Sequence, residues 1–100
     1  MDNNYLVCKG VKFGSMHDED AFFEWIKKIK CIQSFEGARD ELYLDLISDR
    51  LEDLELRDII ALFRRYKVDM AQLKRFLTED NKRWFFDNKR AYWYKKVFGK

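Results

Sequence analysis

The chain has no proline, four glycines, two cysteines and a single histidine in 100 residues. With no proline and no Gly/Ser stretch, nothing resembles a stiff or flexible linker, so residues 1–100 read as one domain. The glycines at Gly10, Gly14, Gly37 and Gly99 never form G-x-G-x-x-G or a Walker pattern, which excludes the common phosphate-cradling loops. There is no internal repeat and no low-complexity tract. No run approaches the roughly 18 consecutive apolar residues that a membrane span needs. Met1-Asp2-Asn3-Asn4 carries neither a basic nor an apolar lead, so no secretory signal and a cytoplasmic location are expected.

The scarcity of cysteine and histidine limits chemistry as well. Cys8 and Cys31 read as free, buried, small hydrophobes, and a bridge between them requires two elements that set them side by side. Neither belongs to a C-x-x-C pair, and His17 is the only imidazole, so no metal site is expected. His17 beside Asp18 and Asp20 reads as an exposed residue at a helix start. Ser15, Ser34 and Ser48 have no nucleophile-elbow surroundings. Asp40/Glu41 and Glu52/Asp53 are adjacent carboxylates, but adjacency in sequence is not an acid/base arrangement in a desolvated cleft. No catalytic residue and no cofactor is expected, and the chain reads as something other than an enzyme.

What the chain does have is charge, unevenly placed. Its net charge is only +2. Between Glu36 and Asp58, however, nine acids face three arginines, a net of −6. From Asn81 to Lys100, seven lysines and arginines face Asp87 alone, a net of +6, among seven of the 17 aromatic residues.

The patterning predicts an α+β fold. Tyr5 to Phe13 is rich in strand formers, with Gly10 marking a bulge or bend. Asp18-Glu19-Asp20 then opens a helix whose apolar face is Phe22, Trp25, Ile26 and Ile29. Ile32 to Phe35 and Leu42 to Ile47 read as a hairpin across residues 36–41, with a helix as the rival reading because Glu, Leu and Ala favour it. From Asp53 the period is helical, with Leu56, Ile59, Ile60 and Phe63 on one stripe. Asp69 caps a second helix over Met70 to Leu77, Thr78 or Asp80 caps a third carrying Trp84 and Phe85, and Asn88 breaks before a last piece with Tyr92, Trp93 and Val97. The expected architecture is a small antiparallel or mixed sheet (β-α-β-β) followed by three or four helices packed on one side.

Two surfaces are candidates for recognition. Asp45, Asp49, Glu52, Asp53, Glu55 and Asp58 supply an acidic patch suited to a basic protein partner. Lys82, Arg83, Trp84, Lys89, Arg90 and Trp93 interleave cations and aromatics, as a nucleic-acid or partner-binding face would. The competing reading places the tail aromatics in the core, with their lysines and arginines as an outer skin.

The run Leu-Arg-Asp-Ile-Ile-Ala-Leu-Phe-Arg-Arg-Tyr-Lys-Val-Asp-Met at 56–70, followed by Trp84-Phe85-Phe86 and Tyr92-Trp93-Tyr94, resembles small bacterial immunity proteins. These are the partners of contact-dependent growth-inhibition and related polymorphic toxins. The resemblance covers somewhat under half of the chain and lies in size and word pattern, with no family-wide functional residue to carry over. It implies a cytoplasmic protein that binds one cognate toxin domain, typically a nuclease, and occludes its active site. The acidic patch is the contact that such a target's basic cleft suggests. The alternatives are a small nucleic-acid-binding or regulatory protein, and a phage-type inhibitor of a host enzyme.

Overall fold

In a computed structural model, which describes residues 4–99, three strands and five helical segments follow one another. Strand β1 (Tyr5–Lys9) leads to helix α1 (Met16–Lys28), then to the hairpin β2 (Ile32–Ala38) and β3 (Glu41–Leu46). Helix α2 (Asp53–Tyr66), a 3-10 helix (Ala71–Phe76), α3 (Lys82–Phe85) and α4 (Tyr94–Phe98) complete the chain. The fold is α+β, with the β-α-β-β order that the sequence predicts.

The sheet order is β1-β3-β2, and both pairings are antiparallel. Alternation decides which side is covered. Leu6 and Cys8 of β1 and Leu44 and Leu46 of β3 are buried on the inner face. The register puts Tyr5 beside Asp45 and Val7 beside Tyr43, so these side chains share the outer face. On β2, Phe35 and Gly37 align with Leu44 and Leu42 on the inner face, whereas Ser34 and Glu36 align with Asp45 and Tyr43 on the outer one.

Local chemistry explains the element boundaries, and it moves several of them. Gly10 adopts φ 63, which favours glycine, and ends β1 four residues before the expected stop; its N–H donates to Asp40 O at 2.8 Å. Helix α1 is capped by Ser15, whose hydroxyl accepts the Asp18 N–H, so the helix starts ahead of the expected acidic opener. Asp18 accepts the Gly14 N–H at 2.8 Å and the Tyr66 hydroxyl at 3.0 Å, and these bonds hold its carboxyl below the usual range. The hairpin closes through Arg39 and Asp40 alone, with Arg39 at φ 60, so β2 extends to Ala38, well beyond its expected end.

Helix α2 begins with a capping box of Glu52 and Glu55. It ends at Lys67, where φ 58 lets the Val68 N–H reach the Phe63 carbonyl at 2.9 Å. Leu56, Ile59, Ile60, Leu62, Phe63 and Tyr66 are all buried. On one flank Tyr66 packs edge-on against Phe22 of α1 at 4.8 Å. On the other, the Arg57 guanidinium covers the Trp84 ring at 4.0 Å and that of Arg64 covers Tyr92 at 4.3 Å.

The segments after α2 are shorter than the sequence suggests. The expected helix over Met70 to Leu77 is a 3-10 turn, and Asn81, rather than Thr78 or Asp80, precedes α3. Asn81 is the pin of this region. Its side chain is 2 % exposed, donates to Phe76 O at 2.8 Å and accepts the Thr78 N–H at 2.8 Å. Helices this short are held by packing rather than by their own hydrogen bonds. Phe98 supplies much of it, meeting Phe85 and Phe86 with ring centroids 5.0 Å from each.

The two edges of the sheet differ. In β1 the N–H and C=O of Val7 point away from β3, and the Gln72 side chain bonds both, at 2.9 and 2.8 Å. One amide thus replaces a strand partner. Gln72→Ala is expected to destabilise the fold by about 1–2 kcal/mol, two net hydrogen bonds, and to speed amide exchange at Val7. Urea unfolding with native-state exchange checks both, and unchanged Val7 protection would remove Gln72 from this role.

Candidate protein-binding surface

The β3–α2 junction carries the acids, and the structure divides them. Asp45 projects from the central strand on the outer sheet face, where it accepts hydrogen bonds from Gln33 at 3.1 Å and Ser34 at 3.4 Å. Asp49, Glu52 and Asp53 are exposed in the loop and at the helix start. Glu55 is half-buried and accepts the Glu52 N–H at 3.2 Å. Asp58 is exposed one turn further on and accepts the Trp25 indole N–H at 3.4 Å. Asp45 therefore lies across the sheet from the helix layer that bears Asp58. Glu52, Asp53 and Glu55 also do ordinary work at the positive end of α2.

Two apolar residues stand among these acids without cover. Ile47 is 61 % exposed and Leu54 is 79 % exposed. Exposed apolar residues close in sequence to Asp49, Glu52 and Asp53 fit the mixed make-up of a protein interface. Periodicity had marked neither, because Ile47 continues the β3 run and Leu54 looks like another helix-face leucine.

The tail of the chain is organised differently from a nucleic-acid arm. Trp93 is only 8 % exposed, and its indole N–H donates to Phe85 O at 3.1 Å. Trp84 is half-buried, edge-on to Trp93 at 5.8 Å and covered by Arg57. Trp93 is thus not free to stack on a base, and Trp84 is partly covered, which fits the competing reading that places the tail aromatics in the core. Their rings fill the interior because a domain of this size has few other large side chains to close its helical layer. Lys82 is engaged with Asp87 at 3.0 Å. Lys89 lies over the rings of Phe86 and Tyr94 at 4.7 and 5.0 Å. Arg83 and Arg90 are exposed.

A basic cluster forms elsewhere, at the C-terminal end of α2. Lys67 lines three adjoining grooves there. One includes Arg64 and Lys96, a second Lys12 and Arg65, and a third Lys9. Asp69 is the acid among these lining residues. Sequence inspection missed the cluster because its members come from three segments more than twenty residues apart.

Among the described residues, no three His, Cys, Asp or Glu side chains converge on a metal-sized site. His17 is exposed on the first turn of α1. No helix among the described residues is long and apolar enough to cross a membrane. No protein-family model, curated protein or solved structure matches the chain.

Cys8 and Cys31 are free and buried. Burial pushes the Cys8 thiol up to about 12. It does the same at Cys31, also to about 12, with the Glu55 and Asp58 carboxylates adding to the effect. A thiol with such a value is a thiolate in roughly one molecule in 10⁴ at pH 8. Labelling of both cysteines by a disulfide reagent is therefore expected to follow global unfolding across a urea series. Rapid labelling of either one in the folded protein would contradict this arrangement.

Proposed function

We propose that the chain is a non-enzymatic binding protein that attaches to a basic surface of another protein through the β3–α2 junction. In its most specific form, the reading is an immunity protein that occludes the active site of a cognate toxin domain, a nuclease by preference. The observation that carries it is the pair of exposed aliphatics, Ile47 and Leu54, set among Asp49, Glu52 and Asp53. Apolar contact supplies the part of affinity that resists salt, and the acids supply rate and orientation toward a cationic cleft. A nuclease offers such a cleft because its substrate is a polyanion.

The test joins binding with protection. The purified chain is mixed with the toxin domain encoded beside its gene, and cells expressing that domain are scored for growth with and without the chain. Ile47→Ser and Leu54→Ser are each expected to weaken the complex about tenfold, roughly 1.4 kcal/mol, while leaving the unfolding midpoint almost unmoved. Asp49→Asn, which disturbs no cap of α2, is expected to slow association and flatten its salt dependence. Absence of any complex, or of protection, overturns the toxin reading.

A second reading has its own observation, the basic cluster around Lys67. A nucleic-acid-binding protein would use Lys9, Lys12, Arg64, Arg65 and Lys96 around it to neutralise phosphates. On this reading single-stranded RNA binds with steep salt dependence, and Lys67→Glu with Arg64→Glu removes that binding. Lack of a mobility shift at low salt rejects it.

A further inference from the structure

The β2 edge lacks the clamp that Gln72 supplies at Val7 on the β1 edge. The Leu46 N–H donates to Asn4 O and the Gly10 N–H to Asp40 O, each at 2.8 Å. These two bonds set the alternation for the whole sheet: even-numbered residues of β3 bond β1, and odd-numbered ones bond β2. In β2, therefore, Ser34, Glu36 and Ala38 turn their backbone groups toward Asp45, Tyr43 and Glu41. Phe35 and Gly37 turn theirs away from the sheet. Among the described residues no side chain bonds those groups, in contrast to the Gln72 clamp on Val7.

The usual devices that guard an edge are mostly missing from β2. It runs for seven residues, Ile32–Ala38, with no lysine and no proline, and every residue after Ile32 is exposed. Its one irregularity is a register shift between Ile32 and Ser34. A long open edge of this kind is a template for another strand.

Beside the far end of this edge lies a mainly apolar cleft of about 240 Å³, lined by Phe13, Phe22, Phe23, Gly37 and Leu42 and also by Arg39, Asp40 and Glu41 at the hairpin turn. Small-molecule pockets run from roughly 300 to 1,000 Å³, so this one is undersized for a drug-like ligand. It is ample for one side chain, since a dry cavity of about 150 Å³ already holds benzene. Gly37 has no side chain on the inner face, so a residue laid opposite it meets the cleft with nothing between.

We propose that β2 accepts an extended segment of a basic protein partner as a fourth strand, with one bulky apolar side chain in the cleft beside Gly37. This rests on the protein-binding reading above and specifies the partner's conformation and chemistry. Charge chooses the occupant. The segment from Ile32 to Asp45 holds Glu36, Asp40, Glu41 and Asp45 against Arg39. An added strand places alternate residues beside Ser34 and Glu36 on the outer face, where lysine or arginine is favoured. It places the others beside Phe35 and Gly37 on the inner face, where apolar residues are favoured.

The probe is a synthetic heptapeptide, KVKFKVK, compared with the acidic EVEFEVE and the scrambled KKKKVFV. Isotope-labelled full-length protein is titrated while backbone amides are followed by NMR and hydrogen exchange. The alternating basic peptide is expected to shift and protect the amides of Phe35 and Gly37, and the other two are expected to leave them unchanged. Gly37→Pro, which removes an outward N–H that β3 does not use, weakens the peptide about five- to tenfold. Glu36→Lys, an exposed change that leaves the pairing with β3 intact, transfers preference to the acidic peptide. Equal responses to the alternating and scrambled peptides overturn the proposal, as do shifts confined to residues 47–54. Protection of Phe35 and Gly37 in a dimer of the chain alone also overturns it, because the occupant is then a second copy. The Ile47 and Leu54 variants read the junction and the peptide reads β2, so failure of either idea is recognisable without the other.

Discussion

Helix α2 is the member on which the other layers depend. Its buried residues span a wide arc rather than a single stripe, because it is flanked by α1 on one side and the aromatic tail on the other. Burial of this kind contributes on the order of 1.5–3 kcal/mol for each large apolar side chain. Leu56, Ile59, Ile60, Leu62 and Phe63 are each 0 % exposed, so no other segment contributes as much. The short pieces that follow, from the 3-10 helix to α4, have no comparable internal support. They persist because rings from the tail close against α2 and against one another.

The same helix orders the charge. Asp53 and Glu55 occupy its first turn and Arg64 and Arg65 its last, so the helix dipole and the side chains are matched at both ends. The two ends are about 21 Å apart by the rise of an α-helix. Acids from the β3–α2 loop gather at one end. Lys9, Lys12 and Lys96 gather at the other, brought from distant parts of the chain. The small net charge of +2 thus conceals two opposed surfaces.

Much of the fold was legible because periodicity follows burial. The alternation of Leu42, Leu44 and Leu46 and the spacing of Leu56, Ile59, Ile60 and Phe63 report the faces that the core needs. Boundaries were less legible, since they rest on single hydrogen bonds. Ser15 rather than Asp18 caps α1, and two positive-φ residues that are not glycine, Arg39 and Lys67, make the tightest reversals. The acidic junction could be read locally because its members are neighbours in sequence. The Lys67 cluster and the cleft beside Gly37 could not, as each is assembled from separate segments. The indoles of Trp84 and Trp93 show the limit of composition: the same residues suit a stacking platform or a core, and only packing distinguishes them.

The Gln72 clamp has a consequence in time. It joins the first strand made to a residue 65 positions later. During synthesis β1 can pair with β3 as soon as the hairpin emerges, but its outer edge stays open until the chain beyond α2 is complete and folded. For that interval the outward N–H and C=O of Val7 lack the partner that Gln72 later supplies. Truncation ahead of Gln72 would therefore leave the outer edge of β1 without its clamp, as β2 already is, and open to neighbouring chains.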